Sequence, residues 1–236
     1  SLNLGKKLYQ ISVRKIGKCN FILDQSIKDK KNFKSTIKNK VFKNFSDFRK
    51  KDNFKNYNIL INLWGGKIFS EKFLNKFEKK INLHPSYLPY WRGKNSAFYA
   101  NTFKVGNGAT LHEMNKKIDY PNIYVREKTK VFFEETGFQT YVKSVQTCLK
   151  IYEKYIKGIL NGKLKTKKIS FDKKKNRVYF KKEFPKNHNI KIKKNSELFK
   201  FIDKVKSLDF PLSKCQISMS KKNYNISIIL KELKKK

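Results

Sequence analysis

The sequence predicts an α/β fold: a mostly parallel sheet flanked by helices, with a small α+β appendage at the C-terminal end. Three observations carry this. The compact apolar run Tyr57-Asn58-Ile59-Leu60-Ile61-Asn62-Leu63 runs into Gly65-Gly66, as a buried strand ending in a loop does. After a short amphipathic stretch comes a second run, Ile81-Asn82-Leu83-His84, stopped by Pro85 and Pro89. Strand, helix, strand at this spacing predicts a right-handed βαβ unit and hence parallel pairing. Finally, Val142, Val145, Leu149, Tyr152, Ile156 and Ile159 form an apolar stripe over 141–160, closed by Asn161-Gly162, which is the clearest helix in the chain.

The remaining elements follow in order. Leu4, Leu8 and Ile11 fall at helical spacing, so the chain opens inside a helix. Residues 19–23 (Cys-Asn-Phe-Ile-Leu) read as a short strand. Residues 28–56 are dense in lysine but carry Phe33, Ile37, Val41, Phe42, Phe45 and Phe48, which predicts irregular structure plus a surface helix. Ser70 is placed to cap a short helix bearing Phe73, Leu74 and Phe77 on one face. Residues 97–103 suggest a helix, 109–114 a strand, and 178–180 another short strand. Ser196 opens a helix with Leu198, Phe201, Ile202, Val205 and Leu208 on its apolar side. Residues 215–230 read as two strands around Lys221-Lys222-Asn223. No repeat or Gly/Ser linker divides the chain, and we place an accessory region from residue 165 to 236 after a domain of residues 1–164.

Composition narrows the function classes. The 236 residues are 39% hydrophobic and 14% aromatic, enough for one large core and against wholesale disorder. Mean hydropathy is −0.70, because lysine and asparagine fill the polar positions. No apolar run approaches the roughly 18 residues of a membrane helix, and no signal-peptide pattern opens the chain. Cys19, Cys148 and Cys215 are odd in number and far apart, with no disulfide framework and no zinc spacing, which fits a reducing cytoplasm. The net charge of +39 invites a nucleic-acid reading, but Arg14, Arg49, Arg92, Arg126 and Arg177 are the only arginines beside 52 lysines. Phosphate and base readers lean on the bidentate arginine fork. Lysine joined by abundant Asn, Ile, Phe and Tyr reads instead as AT-rich codon bias over exposed faces, although such a field also draws in anionic substrates. The lysine runs at 173–175 and 234–236 read as solvated surface.

Chemistry concentrates around one histidine. Asn82 and His84, two residues apart, share a strand face at the strand's C-terminal end, where open α/β sheets bind ligands. An imidazole beside a carboxamide pairs a proton-transfer group with a neutral donor, which suits attack on a carbonyl. Asp119 is the candidate carboxylate to orient the imidazole. Taken alone, such an Asn-x-His pair is more often structural than catalytic. His112 reads as a packed strand residue or a lining residue of an acceptor pocket, and His188 as solvated. Trp64, Trp91, Tyr87 and Tyr90 cluster in sequence around this region, either stacking on a flat ligand or sealing the edge of the core.

The stretch Ile81-Asn82-Leu83-His84-Pro85-Ser86-Tyr87-Leu88-Pro89-Tyr90-Trp91-Arg92-Gly93 resembles the signature of the folate-dependent formyltransferases: Asn-x-His-x-Ser-x-Leu-Pro, two residues, then Arg/Lys-Gly. That family includes the glycinamide ribonucleotide, methionyl-tRNA and sugar N-formyltransferases. A second block, Gly108-Ala109-Thr110-Leu111-His112-Glu113-Met114 then Ile118-Asp119 and Ile123, resembles the family's next conserved strand and loop. The similarity covers residues 57–160, with a weaker echo of the sugar branch at 202–211.

The resemblance implies a Rossmann-like fold and transfer of a formyl group from 10-formyltetrahydrofolate to an amine. It implies His84 as general acid/base, Asn82 as the amide stabilising the oxyanion, and Asp119 as the group aligning His84 and favouring its charged form. It further implies that Leu63, Trp64, Gly65, Gly66, Lys67 and Ile68 hold the pterin through backbone groups. Arg92 and Tyr90 would lie on the acceptor side, with Arg92 alternatively stapling its own loop. Three departures stand out. The family's Asp-Thr-Gly is Asp119-Tyr120-Pro121 here, where proline fixes φ and removes an N–H. The family opens with a strand and glycine-bearing turn, whereas this sequence starts already near the first helix. Asn95-Ser96-Ala97 replaces a proline-containing stretch.

Among acceptors, a nucleotide-linked amino sugar leads, because about 70 residues after 165 leave no room for the complete oligonucleotide-binding barrel of the tRNA enzymes. A homodimer is compatible with this reading, and no membrane is involved. Methionyl-tRNA as acceptor, a degenerate non-catalytic family member, and a basic nucleic-acid-binding module are the alternatives.

Overall fold

The computed structural model describes residues 2–17, 19–22, 41–42, 44–51, 54–63, 66–120, 122–170, 172, 176–184, 198–210, 215–219 and 222–226. Leu23, Phe33, Ile37, Trp64, Gly65, Pro121, His188, Ser196, Lys221 and the lysine runs at 173–175 and 234–236 lie outside the described residues. The chain forms two compact units, each gathered from three stretches. The first comprises Ser1–His84, Thr110–Arg126 and Cys148–Ser170, and the second Pro85–Ala109, Glu127–Thr147 and Phe171–Lys236. The first unit runs on to Ser170, and the second begins at Pro85.

In the first unit, helix α1 (Leu2–Ile16) buries Leu8 and Ile11, the residues whose spacing predicted it. Strands β1 (Phe21–Ile22) and β2 (Val41–Phe42) pair in parallel. Helix α2 (Phe45–Lys51) follows, then a 3-10 turn at Phe54–Asn56. Rings of Phe45, Phe48, Phe54, Phe73 and Phe77 pack against one another, mostly edge-on or tilted with Phe45 stacked on Phe54, which gives this lysine-rich stretch an apolar anchor.

Strand β3 (Ile59–Leu63) leads into helix α3 (Glu71–Leu74) and strand β4 (Lys79–His84). Ser70 caps α3 as expected, its hydroxyl accepting from the Phe73 N–H. β3 and β4 pair in parallel, with Asn62 opposite Asn82, as the strand–helix–strand spacing requires. Strands β6 (Gly108–Glu113), β7 (Asn122–Lys128) and β8 (Lys167–Lys168) extend the sheet in the order β3-β4-β6-β7-β8. β6 runs antiparallel to β4, and β8 antiparallel to β7. Helix α5 (Gly137–Leu160) contributes Cys148, Ile151, Tyr152, Ile156 and Ile159, all fully buried. The Tyr152 hydroxyl and Ser12 share a buried hydrogen bond of 2.8 Å, and burial pushes the phenol pKa up to about 12. Helix α5 stops where Gly162 takes φ +74, after the Asn161-Gly162 signal. A central sheet covered by helices is the α/β, Rossmann-like architecture expected from the sequence.

The second unit holds β5 (Arg92–Gly93) paired in parallel with β9 (Val178–Tyr179), and helices α4 (Ser96–Phe103) and α6 (Leu198–Leu208). Its core contains Trp91, Phe98, Tyr99, Ala100, Phe201, Val205 and Leu208. The C-terminal hairpin of β10 (Cys215–Met219) and β11 (Lys222–Ile226) is antiparallel, as the alternating pattern around Lys222-Asn223 implied. Neither β5 nor β8, each of two residues, leaves a periodicity to read.

Candidate active site

Strand β4 sorts its side chains by alternation. Ile81 and Leu83 turn to one face and Asn82 and His84 to the other, and all four are buried. Register then carries Asn82 sideways. Asn62 of β3 lies opposite it on one side and His112 of β6 on the other. Residues opposite one another in a sheet share a face, so Asn62, Asn82 and His112 form one row across three strands, with His84 two residues along.

The row is stitched by hydrogen bonds. Asn62 Nδ2 donates to Asn82 Oδ1 at 2.9 Å. Asn82 Nδ2 lies 2.9 Å from His112 Nε2 and donates to Asp119 Oδ1 at 3.1 Å. His112 Nδ1 lies 2.9 Å from the Glu113 carbonyl oxygen. The other carboxylate oxygen, Asp119 Oδ2, is 3.5 Å from His84 Nδ1, and Oδ1 is 3.4 Å from His112 Nε2. The His84 and Asp119 side chains are only 6% and 10% exposed, so bulk water and salt screen this pair little. The His84–Asp119 separation is an ion-pair distance rather than a tight hydrogen bond.

Asp119 sits in the connection from β6 to β7, not at the end of a strand. Its φ of 45° is in the left-handed region that aspartate tolerates better than most residues. Asn115 organises the connection: its Oδ1 accepts from the Lys117 N–H at 2.8 Å, and its Nδ2 donates to the Tyr120 carbonyl at 3.2 Å. Lys117 lies over the Tyr120 ring, 4.7 Å from its centroid. Asn122 Nδ2 closes the loop onto Glu113 Oε2 at 2.9 Å. The end of β4 is held as well. The Cys148 thiol, whose pKa burial pushes well up, keeps its proton and donates weakly to the His84 carbonyl at 3.9 Å.

The structure therefore brings Asn82, His84 and Asp119 together, adds Asn62 and Asn115, which sequence reasoning did not place in the site, and sets His112, read as a packed strand residue or an acceptor-pocket residue, against Asn82. The signal for Asn62 was a polar residue inside an apolar strand run, and for His112 its position on the next strand. Of the loop that resemblance assigns to the pterin, Leu63 ends β3 half-buried, while Gly66, Lys67 and Ile68 are exposed, Ile68 by 67%. Tyr90 and Arg92 belong to the second unit. Tyr90 is 36% exposed, and its carbonyl accepts from the Ser86 hydroxyl. Arg92 is buried and donates to the Asn176 carbonyl at 3.1 Å. Trp91 packs in the core, its Nε1–H donating to the Val105 carbonyl and its ring stacked on Tyr99 and Phe103. Among the described residues, no group of three or more His, Cys, Asp or Glu is arranged to hold a metal ion, and no helix is long and apolar enough to cross a membrane.

A carboxylate that orients an imidazole, beside a fixed neutral amide, can move a proton while stabilising a developing oxyanion. Known proteins place the chain in a family. The chain is 31% identical over 105 residues to phosphoribosylglycinamide formyltransferase of Haemophilus influenzae, spanning 43% of this chain and 49% of that one, so it covers about half the length of that relative. Its fold matches a sugar N-formyltransferase from Shewanella sp. FDAARGOS_354 with a TM-score of 0.77 at 16% identity, covering 99% of this chain and 94% of that one. It also matches the N-formyltransferase from Helicobacter canadensis, solved in complex with folinic acid and dTDP-3-aminofucose, with a TM-score of 0.75 at 18% identity over 93% of this chain and 81% of that one. Residues 28–154, more than half the chain and the stretch that holds Asn82, His84 and Asp119, match the formyl transferase family, and the chain belongs to that family.

Proposed function

We propose that the protein transfers the formyl group of 10-formyltetrahydrofolate to the amine of a nucleotide-linked amino sugar. The observation that carries the reading is the convergence of Asn82, His84 and Asp119, at 3.1 and 3.5 Å, on one sheet face of a formyl transferase family chain. The Helicobacter canadensis relative, solved with dTDP-3-aminofucose, supports the choice of acceptor. Methionyl-tRNA as acceptor draws on the charge of +39, and the scarcity of arginine, five residues against 52 lysines, argues against it.

The residues would act in sequence. The acceptor amine attacks the formyl carbon and negative charge grows on the formyl oxygen. The Asn82 Nδ2–H that rests on Asp119 is shared with that oxygen, a neutral donor that needs no reorganisation. Asp119 holds Nδ1–H of His84 and so directs Nε2 to proton transfer. His84 takes the proton released by the attacking amine and returns it to N10 of the folate as the carbon–nitrogen bond breaks, leaving tetrahydrofolate and a formamide.

The exposed Gly66, Lys67 and Ile68 form the open side against which the pterin would lie, and glycine there permits close backbone approach. In this reading residues 1–164 are catalytic and 165–236 an accessory region outside the family match. A cytoplasmic setting fits the free thiols of Cys19 and Cys148. Incubation with 10-formyltetrahydrofolate and dTDP-amino sugars is expected to release tetrahydrofolate and yield the sugar formamide by mass spectrometry. Turnover with charged initiator tRNA and not with any amino sugar would overturn the acceptor assignment. Folate binding without turnover on either would overturn catalysis.

A further inference from the structure

We propose that His112 is a positioning residue that fixes which end of the Asn82 amide faces Asp119. The inference rests on the formyl-transfer reading for its kinetic consequence, and on donor and acceptor accounting for its substance.

An asparagine amide has one accepting end and one donating end, and rotation by half a turn exchanges them. Asn82 meets three polar groups: Asn62 Nδ2 at its oxygen, and His112 Nε2 and Asp119 Oδ1 at its nitrogen. The carboxylate oxygen only accepts. The His112 ring meets the Glu113 carbonyl at Nδ1, 2.9 Å away, and that oxygen also only accepts. Nδ1 therefore carries the ring hydrogen, and Nε2 is left as an acceptor. The amide NH2 then stands between two acceptors 3.4 Å apart and gives one hydrogen to each. Rotating the amide would set its oxygen against Asp119 Oδ1 at about 3 Å, acceptor against acceptor, and would leave Asn62 donating to an NH2 group.

This arrangement is buried. His112 is 2% exposed and Asn82 is 8% exposed, so water does not substitute for a missing acceptor. It is also built by the sheet: the three residues are register partners, so the row cannot slide without moving the strands. His112 thus acts through Asn82, keeping its hydrogens on the side of the charged pair. Without it, Asp119 is the only acceptor holding the NH2 end in place, and the amide samples orientations that cannot donate to an oxyanion.

The test uses the full chain with His112→Leu, which removes the acceptor, and His112→Gln, whose Oε1 returns an acceptor near the Nε2 position. We expect His112→Leu to lose about 10- to 100-fold in kcat, between one hydrogen bond and a whole oxyanion donor, with little change in KM for folate. His112→Gln should recover most of it. In an Asn82→Ala background, His112→Leu should cost less than about threefold more, because the residue it acts through is gone. Equal losses in both backgrounds, or a Gln variant as slow as Leu, would overturn the inference while leaving formyl transfer standing. A wild-type protein with no turnover would count against formyl transfer instead. The tautomer decides the matter independently of activity. Ring 15N shifts should show the His112 hydrogen on Nδ1, and a hydrogen on Nε2 would refute the arrangement.

Discussion

Replacing Asp119 by Asn separates alignment from charge at the centre of the site. Asparagine keeps the size of the side chain and tolerates the left-handed φ of 45° at this position, so the loop is undisturbed. What changes is the chemistry of both ends. Facing the Asn82 NH2, the new side chain must present its oxygen, and its own NH2 then points at His84 Nδ1. That nitrogen becomes an acceptor, the ring hydrogen moves to Nε2, and the ring loses its counter-charge whenever it takes a second proton. At the observed 3.5 Å, an ion pair in an effective dielectric of about 20 is worth about 5 kcal/mol. Desolvation of the native pair and the retained amide dipole return part of this, leaving about 3 kcal/mol. The expected loss is about 100-fold in kcat/KM, concentrated in kcat. Tetrahydrofolate release, followed at saturating amino-sugar acceptor, measures it, with thermal melting as the control for folding. A variant retaining more than about a third of wild-type kcat/KM, while His84→Ala is inactive, would refute the role of the carboxylate.

Two further outcomes probe the second unit. Lys206 is fully buried, and its ammonium lies 4.0 Å from the Phe133 ring centroid and 3.8 Å from Asp203 Oδ1, without a hydrogen-bond partner. Burial first, and then the Lys104 charge, push its pKa below 10.5. The unfolded chain therefore binds a proton that the folded one releases in the window from the lowered value up to 10.5, and this group's share of stability rises with pH there. Lys206→Met should raise stability at pH 7 by about 1 to 3 kcal/mol and flatten that rise, because Lys104 stays beside Asp203; urea melts at pH 7 and above 10 measure both, and a destabilised variant would refute the cost. Gly137 opens α5, where an added Cβ would overlap the Ser207 carbonyl oxygen and lie 2.8 Å from Phe210 Cε2. Gly137→Ala should cost about 1 to 3 kcal/mol despite the higher helix propensity of alanine, and an unchanged urea midpoint would refute the close approach.

The shared face of Asn82 and His84 was readable in the sequence because its geometry is local. Residues two apart on a strand share a face whatever the strand pairs with, so Asn82 and His84 needed no tertiary information. Asp119 was a candidate carboxylate from its place downstream of His84 and was strengthened by its motif; a loop residue with positive φ has no periodicity to add, and the Asn115 side chain that shapes the loop looks like any polar residue. Asn62 and His112 could not be assigned to the site from physics, because the register of β3 and β6 on β4 is set by the whole sheet. The same limit applies to direction. The strand–helix–strand spacing fixed β3 and β4 as parallel, but a strand pattern such as that of β6 reads the same in either orientation, and it joins β4 antiparallel. Strand β7 escaped because Arg126, Glu127 and Lys128 end it in charges, and most of its side chains are half-buried.

The lysine excess and the site coexist because they occupy different environments. Lysine accumulates at positions where any hydrated side chain is tolerated, and those are the exposed ones. In the site, a lysine at Asn62, Asn82 or His112 would bury an ammonium and remove an acceptor or an amide that the row requires. Asn62 is half-buried and the other two are buried, and each is held by a bond whose partner is itself bonded. The single carboxylate is likewise protected. Asp119 lies beside the Asn82 amide donor and two imidazoles, and its side chain is only 10% exposed. A chain of net charge +39 can therefore keep a buried carboxylate beside two imidazoles. The proton that His84 carries during transfer would be balanced within the site by Asp119, independently of the lysines outside.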